Sequence, residues 1–239
     1  MYLANILIIK AGHKLDSLFV VPGDFEDWIS SAMQLPKACF NVVSVYKDEL
    51  LPAAETVDAV VISGSGAMIT DHSDWIETTA QWLQGVVHLQ KPVLGICFGH
   101  QLLAYALGGN VDINPNGVEV GSVDVEVVTD ADDVLFSGLK QFQAQASHRQ
   151  AVLQLPRDAT LLAQTSMDAH HAFRVGNNCW GVQFHPEFNA EISRHYIDYY
   201  VDDLNATNRD SVKMKQQCND TEVASALLVR FANQIGTDK

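Results

Sequence analysis

Pro92-Val93-Leu94-Gly95-Ile96-Cys97-Phe98-Gly99-His100-Gln101 passes from an apolar run, through two glycines flanking a cysteine, into a helix-forming stretch. Glycines on either side let a backbone turn sharply between strand and helix, so the central side chain stands out at the turn. That reading places Cys97 on a nucleophile elbow. The free N–H groups and partial positive charge of the following helix would favour its thiolate. A strand running straight into a helix also predicts an α/β chain, and the flanking sequence agrees.

Working upstream, Asn5–Lys10, Phe40–Tyr46 and Val57–Ser63 are, like Pro92–Cys97, short and almost continuously apolar. Such runs suit strands covered on both faces, as in a parallel sheet. Helices are predicted between them at Phe25–Met33 behind an Asp24 cap, at Asp74–Gln90 and at Phe98–Leu107. Downstream the pattern changes. Val118–Thr129 alternates apolar and polar as an antiparallel strand does, and short strands are predicted at Gln141–Ala146, Thr160–Gln164, Ala172–Val175 and Trp180–Phe184. A helix at Ala190–Leu204, a polar loop at Asn205–Asn219 and a last helix at Glu222–Ile235 complete the chain. The expected fold is a three-layer α/β/α domain over residues 1–204. Its mostly parallel open sheet acquires an antiparallel region, and residues 205–239 form a loop and helix packed on the same domain.

A thiol nucleophile needs a base. His185 in Gly181-Val-Gln-Phe-His-Pro-Glu187 ends a predicted strand and is followed two residues later by a carboxylate. Glu187 can accept one imidazole N–H and fix the tautomer, leaving the other nitrogen for Cys97. Ser63-Gly64-Ser65-Gly66 is a second strand-to-glycine turn, suited to aiming an amide at a developing oxyanion, and the expected donors are the N–H groups of Ser65 and Phe98. A dinucleotide or phosphate loop fits less well, because Ile69 stands where a third glycine belongs and no Gly-Lys-Ser/Thr follows.

Together, Gly95–Gln101, Gly181–Glu187 and Ser63–Gly66 resemble the class I, triad-type glutamine amidotransferases, over about residues 5–190. The likeness is to stand-alone proteins similar to the glutaminase domain of GMP synthase. The resemblance implies a flavodoxin-like sheet and hydrolysis of the glutamine side-chain amide through a γ-glutamyl thioester, releasing ammonia. By the same resemblance Cys97 is the nucleophile, His185 the base and then acid, and Glu187 its orienter. Gly64, Gln101, Ser147 and His148 fall where the family holds its substrate. The loop departs from the common Gly-Gly-Pro, and plant γ-glutamyl peptidases share its Ser-Gly-Ser variant, so a γ-glutamyl peptide amide is the alternative substrate. No synthase domain fits in residues 190–239, so an ammonia-accepting synthase subunit would act in trans. An α/β-hydrolase orders its triad nucleophile, acid, histidine, whereas here histidine precedes acid. A catalytically silent metabolite-binding or regulatory module is the alternative of another class.

Composition narrows the field further. Fifteen Lys and Arg against 29 Asp and Glu give a formal charge of −14, the wrong sign for gripping nucleic acid or anionic lipid. Four scattered cysteines without a Cys-x-x-Cys pair indicate reduced thiols, and with no signal-like or membrane-length segment a cytoplasmic location is expected. No cofactor is expected. Nor is a metal, because adjacent His170 and His171 point to different sides of an extended chain and neither has a carboxylate at ligand spacing. Asp24, Glu26 and Asp27 are read as helix-start acids that could also face an amine, Trp28 as a core anchor, and His100 as a pocket, surface or packing residue.

Overall fold

The computed structural model describes residues 4–128 and 133–236, so the Thr129 end of the strand predicted at Val118–Thr129 lies outside the described residues. The first half alternates strand and helix: β1 (Ile6–Lys10), α1 (Phe25–Ala32), β2 (Phe40–Ser44), β3 (Ala59–Ile62), α2 (Asp74–His88), β4 (Val93–Ile96) and α3 (Phe98–Ala106). Seven strands follow: β5 (Asn110–Ile113), β6 (Glu119–Val127), β7 (Gln141–His148), β8 (Gln150–Gln154), β9 (Ala159–Gln164), β10 (Ala172–Val175) and β11 (Cys179–Val182). The chain closes with α4 (Ala190–Tyr199), α5 (Val201–Ala206), α6 (Ser211–Gln217) and α7 (Glu222–Ala232).

Nine strands form one sheet in the order β2-β1-β3-β4-β11-β10-β9-β6-β7. The first five are mutually parallel, and the remaining ladders are antiparallel. β1 shows why its run carries no polar break. Ile6 and Ile8 pack with Phe25, Ile29, Trp180 and Phe231 on one face, while Leu7 and Ile9 pack with Ile76, Leu83, Leu102 and Leu103 on the other. Successive side chains of a strand alternate faces, so a strand between two helical layers must be apolar throughout. The result is the expected three-layer domain, with α1, α4 and α7 on one side and α2 and α3 on the other.

Three features differ from the sequence reading. A separate two-stranded sheet, β5 with β8, was not expected; its strands are short, and β5 buries only Val111. The predicted helix Ala190–Leu204 is interrupted at Tyr200 into α4 and α5. The predicted loop at Asn205–Asn219 contains α6, whose first turn is capped by Asp210 and whose end is held by Arg194, which donates to the Lys215 and Cys218 carbonyls. Among the described residues no helix is long and apolar enough to cross a membrane.

Candidate active site

The site forms at the C-terminal edge of the parallel strands, where β3 and β4 are neighbours and β11 flanks β4. Cys97 follows β4 with φ +52° and ψ −103°, a sparsely populated conformation for a non-glycine residue. Its amide continues the ladder by donating to the Val182 carbonyl at 2.9 Å, and its own carbonyl accepts from Gln101 N–H at 3.1 Å. Both flanking glycines are required by contact. A Cβ on Gly95 would lie 2.3 Å from the Gly99 carbonyl oxygen, and one on Gly99 would lie 2.4 Å from that of Ile62. The elbow is thus wedged backbone against backbone between β3 and α3.

His185 lies just beyond β11, its amide donating to the Gln145 carbonyl at 2.7 Å. Its ring stacks on Phe188 with centroids 3.9 Å apart and planes within 9°, and Gly64 abuts its edge, where a Cβ would come within 2.7 Å of Cε1. Nδ1 is 2.8 Å from Glu187 Oε1. Burial pulls the imidazole toward its neutral form, but the Glu187 charge and the Cys97 thiolate, with hydrogen bonds to both, outweigh it and push the pKa up to about 10. The structure thus brings Cys97, His185 and Glu187 together, with the carboxylate on the far nitrogen of the imidazole.

The loop after β3 is tied to the loop after β1. Ser63 Oγ accepts from Ala11 N–H and donates to the Gly64 carbonyl, while Ser65 Oγ donates to the Ala11 carbonyl and accepts from Ala67 N–H. The serine side chains are thus spent on holding the loop. Phe98 is the first residue of α3, a position whose N–H has no intrahelical partner.

The residues expected to hold substrate are placed less uniformly. Ser147 turns its carbonyl oxygen to within 3.5 Å of Cys97 Sγ. Gln101 is buried, and its Nε2 donates to the Gln150 carbonyl and to Gln183 Oε1, so Oε1 alone remains for a ligand. His148 points away from its neighbour Ser147, as strand alternation requires. Its Nδ1 meets the Gln150 carbonyl and its Nε2 meets Glu119 Oε2, both at 2.9 Å, which leaves neither nitrogen for substrate.

Several side chains read differently in place. Asp24 caps α1, but with Glu26 it also holds Lys10, 2.7 Å from each carboxylate, and Asp24 Oδ1 further accepts from Lys14 N–H. Burial lowers the Lys10 pKa, but the two acids outweigh it and hold the ammonium above its usual range. Lys10 thus offsets one of these two carboxylate charges from within. Trp28 is only partly buried and bonds the Pro22 carbonyl. His100 is fully buried against Phe173 and Gly181, and burial pulls it down to about 3, so it is a neutral packing residue. The expectation that His171 has no carboxylate at ligand spacing is overturned: Asp168 Oδ2 and Glu119 Oε2 stand 3.3 and 3.6 Å from its Nδ1. The signal available in sequence was Asp168-x-x-His171; Glu119 comes from a distant strand.

A cavity of about 610 Å³ opens beside the loop, lined in part by Gly12, Lys14, Tyr46, Ser65, Trp75 and Tyr199.

Comparison with known proteins bears on family and fold. The family model described as glutamine amidotransferase class-I matches residues 24–200. The chain is 38% identical over 150 residues to γ-glutamyl peptidase 5 of Arabidopsis thaliana, covering 60% of this chain and 59% of that protein. It is 39% identical over 155 residues to the glutamine-hydrolysing GMP synthase of Aeropyrum pernix, covering 64% of this chain and 28% of the synthase. These matches therefore span less than two thirds of either relative. In structure it is similar to a glutamine amidotransferase of Thermotoga maritima, with a TM-score of 0.76 at 23% identity over 98% of both chains. That likeness bears on the fold. The family match over most of the chain, on a sheet whose edge gathers these motifs, shows that this protein belongs to the class I glutamine amidotransferases.

Proposed function

We propose that the chain hydrolyses a γ-glutamyl amide through a covalent thioester on Cys97. The observation that carries this reading is the strained elbow cysteine beside a buried imidazole that Glu187 holds at 2.8 Å. The Cys97 thiolate attacks the side-chain carbonyl. The amides of Ser65 and Phe98 receive the oxyanion, and His185 delivers its proton to the departing nitrogen. Having given its proton to the leaving nitrogen, and with the thiolate charge that alongside Glu187 had raised its pKa now removed, the imidazole is the base for the water that releases glutamate. Glu187 holds the Nδ1–H throughout and balances the imidazolium.

With glutamine as substrate the product is ammonia, which would pass to a separate synthase chain in trans, a role suggested by a relative in Methanobrevibacter smithii that is named as one subunit of a glutamine-hydrolysing GMP synthase. A γ-glutamyl peptide is the second reading. The 610 Å³ cavity beside Ser65 is far larger than a leaving ammonia needs, and the Arabidopsis relatives are named γ-glutamyl peptidases. Wild type and Cys97→Ala are compared for glutamate release from glutamine and from a set of γ-glutamyl peptides. Cys97-dependent release is expected. Preference for glutamine supports the first reading, preference for peptides the second, and equal rates for wild type and variant on every substrate would refute both.

A further inference from the structure

Behind the elbow lies a second cluster that the proposed chemistry does not use. Glu119 opens β6 and His148 closes β7 as directly opposed residues of one antiparallel ladder, which puts both side chains on the same face. Asp168 and His171 come from the turn between β9 and β10, closed by Thr165 N–H donating to the Asp168 carbonyl. All four are buried, His171 completely. One ligand-type atom from each of the four residues lies within 4.8 Å of the others.

We propose that Glu119, His148, Asp168 and His171 form a binding site for a divalent transition cation, with zinc the best fit. A four-coordinate zinc with bonds of about 2.0–2.2 Å has ligand atoms about 3.3–3.5 Å apart. Nδ1 of His171 stands 3.3 Å from Asp168 Oδ2 and 3.6 Å from Glu119 Oε2, too far apart for good charge-assisted hydrogen bonds but at the spacing of ligands around an ion. Glu119 Oε2 also meets His148 Nε2 at 2.9 Å, which leaves the His171 Nδ1–H to Asp168 at 3.3 Å; a dication among the four would replace both contacts and cancel the two carboxylate charges. Outer contacts are already built. His148 Nδ1 faces the Gln150 carbonyl, Glu119 Oε1 accepts from Thr165 Oγ1 at 2.7 Å, and Asp168 Oδ1 accepts from His170 N–H at 2.9 Å. Ligand histidines and carboxylates are oriented by contacts of this kind. The remaining nitrogen, His171 Nε2, is buried without a partner among the described residues, so the ring has no polar engagement except toward the cluster. His148 directly follows Ser147, whose carbonyl faces Cys97, so an ion here would stiffen the strand end supporting the nucleophile.

The test uses untagged full-length protein purified without chelator, analysed for metal by mass spectrometry, then stripped and titrated with Zn²⁺ and Co²⁺. Stoichiometric zinc is expected. The Co²⁺ form should show the intense visible bands of a four-coordinate site without a thiolate-to-metal charge-transfer band in the near ultraviolet. Cys97→Ala should bind equally well, while Asp168→Asn and His171→Gln should each weaken binding at least about 100-fold. The spectrum of wild type identifies nitrogen and oxygen donors even where a variant fails to fold. Binding no tighter than millimolar, a thiolate band, loss of metal in Cys97→Ala, or full retention in folded Asp168→Asn and His171→Gln would each overturn the proposal.

Discussion

Gly64→Ala is the most incisive perturbation of this site, because it adds one methyl group and removes nothing. The new Cβ would sit 2.7 Å from His185 Cε1, and ordinary van der Waals contact begins near 3.4 Å. The imidazole would therefore have to retreat by about 0.7 Å, a displacement that a repulsive wall this steep enforces. The neighbours resist this: Phe188, stacked at 3.9 Å, confines the ring to its plane, and Glu187 anchors Nδ1 at 2.8 Å, so an in-plane retreat strains that hydrogen bond. The ring must tilt away from Cys97 or the loop after β3 must move, taking Ser65 with it. Misplacing a catalytic group by about 1 Å costs on the order of 100-fold in rate, so a loss of 10- to 100-fold in kcat is expected, with about 1–3 kcal/mol of stability lost to overpacking. Alkylation of Cys97 by iodoacetamide measures the thiolate–imidazolium pair without any substrate, and its rate at pH 7 should fall in parallel. Unchanged alkylation and unchanged urea midpoint in the variant would refute the packing argument.

Glu187→Gln removes the charge that raises and orients His185, and should lower turnover by roughly 100-fold or more while leaving the fold intact by circular dichroism; wild-type turnover would refute the orienting role. His185 also links stability to pH. Its folded pKa, near 10, lies above the ordinary value of 6.5, so its contribution is fully present below pH 6.5 and is lost as the pH rises through 10. Urea midpoints should accordingly decline between pH 6.5 and 10 and decline less in Glu187→Gln; identical slopes would count against the assignment. Asp133 is buried and accepts from Trp180 Nε1, Arg174 Nη1 and the amides of Leu135 and Phe136. Asp133→Ala should cost about 3–5 kcal/mol, measured by urea denaturation, and a loss under 1 kcal/mol would show that these donors find other partners.

The parallel half of the sheet was legible because its strands are covered on both faces, which imposes continuous apolar runs. β5 and β8 were not, since a short ribbon with exposed Asn110, Asp112 and Ile113 carries no such constraint. α6 is stabilised largely by Arg194 and the Asp210 cap rather than by a buried apolar face, and among its residues none is fully buried. Cys97, His185 and Glu187 were visible because each occupies a local motif. Lys10 between Asp24 and Glu26, and Glu119 against His171, were invisible because each pairing is made by the sheet between segments far apart in the chain. Ser147 and His148 illustrate a finer limit: the dipeptide was located, but it brings a backbone carbonyl to Cys97 and commits the His148 ring to Gln150 and Glu119.

The wedge formed by Gly95, Gly99 and Ile62 has a consequence for how such a site can diverge. No side chain stands between the end of β3 and the start of α3, so the spacing of the loop after β3 and the turn at Cys97 is set by main-chain dimensions rather than by rotamers. Replacement of core residues elsewhere can therefore proceed without retuning the reaction centre. The neighbouring cavity, in contrast, is walled by side chains such as Tyr46, Trp75 and Tyr199, which substitution can reshape. A lineage built on this skeleton is free to remodel the cavity while the turn that presents Cys97 stays as it was.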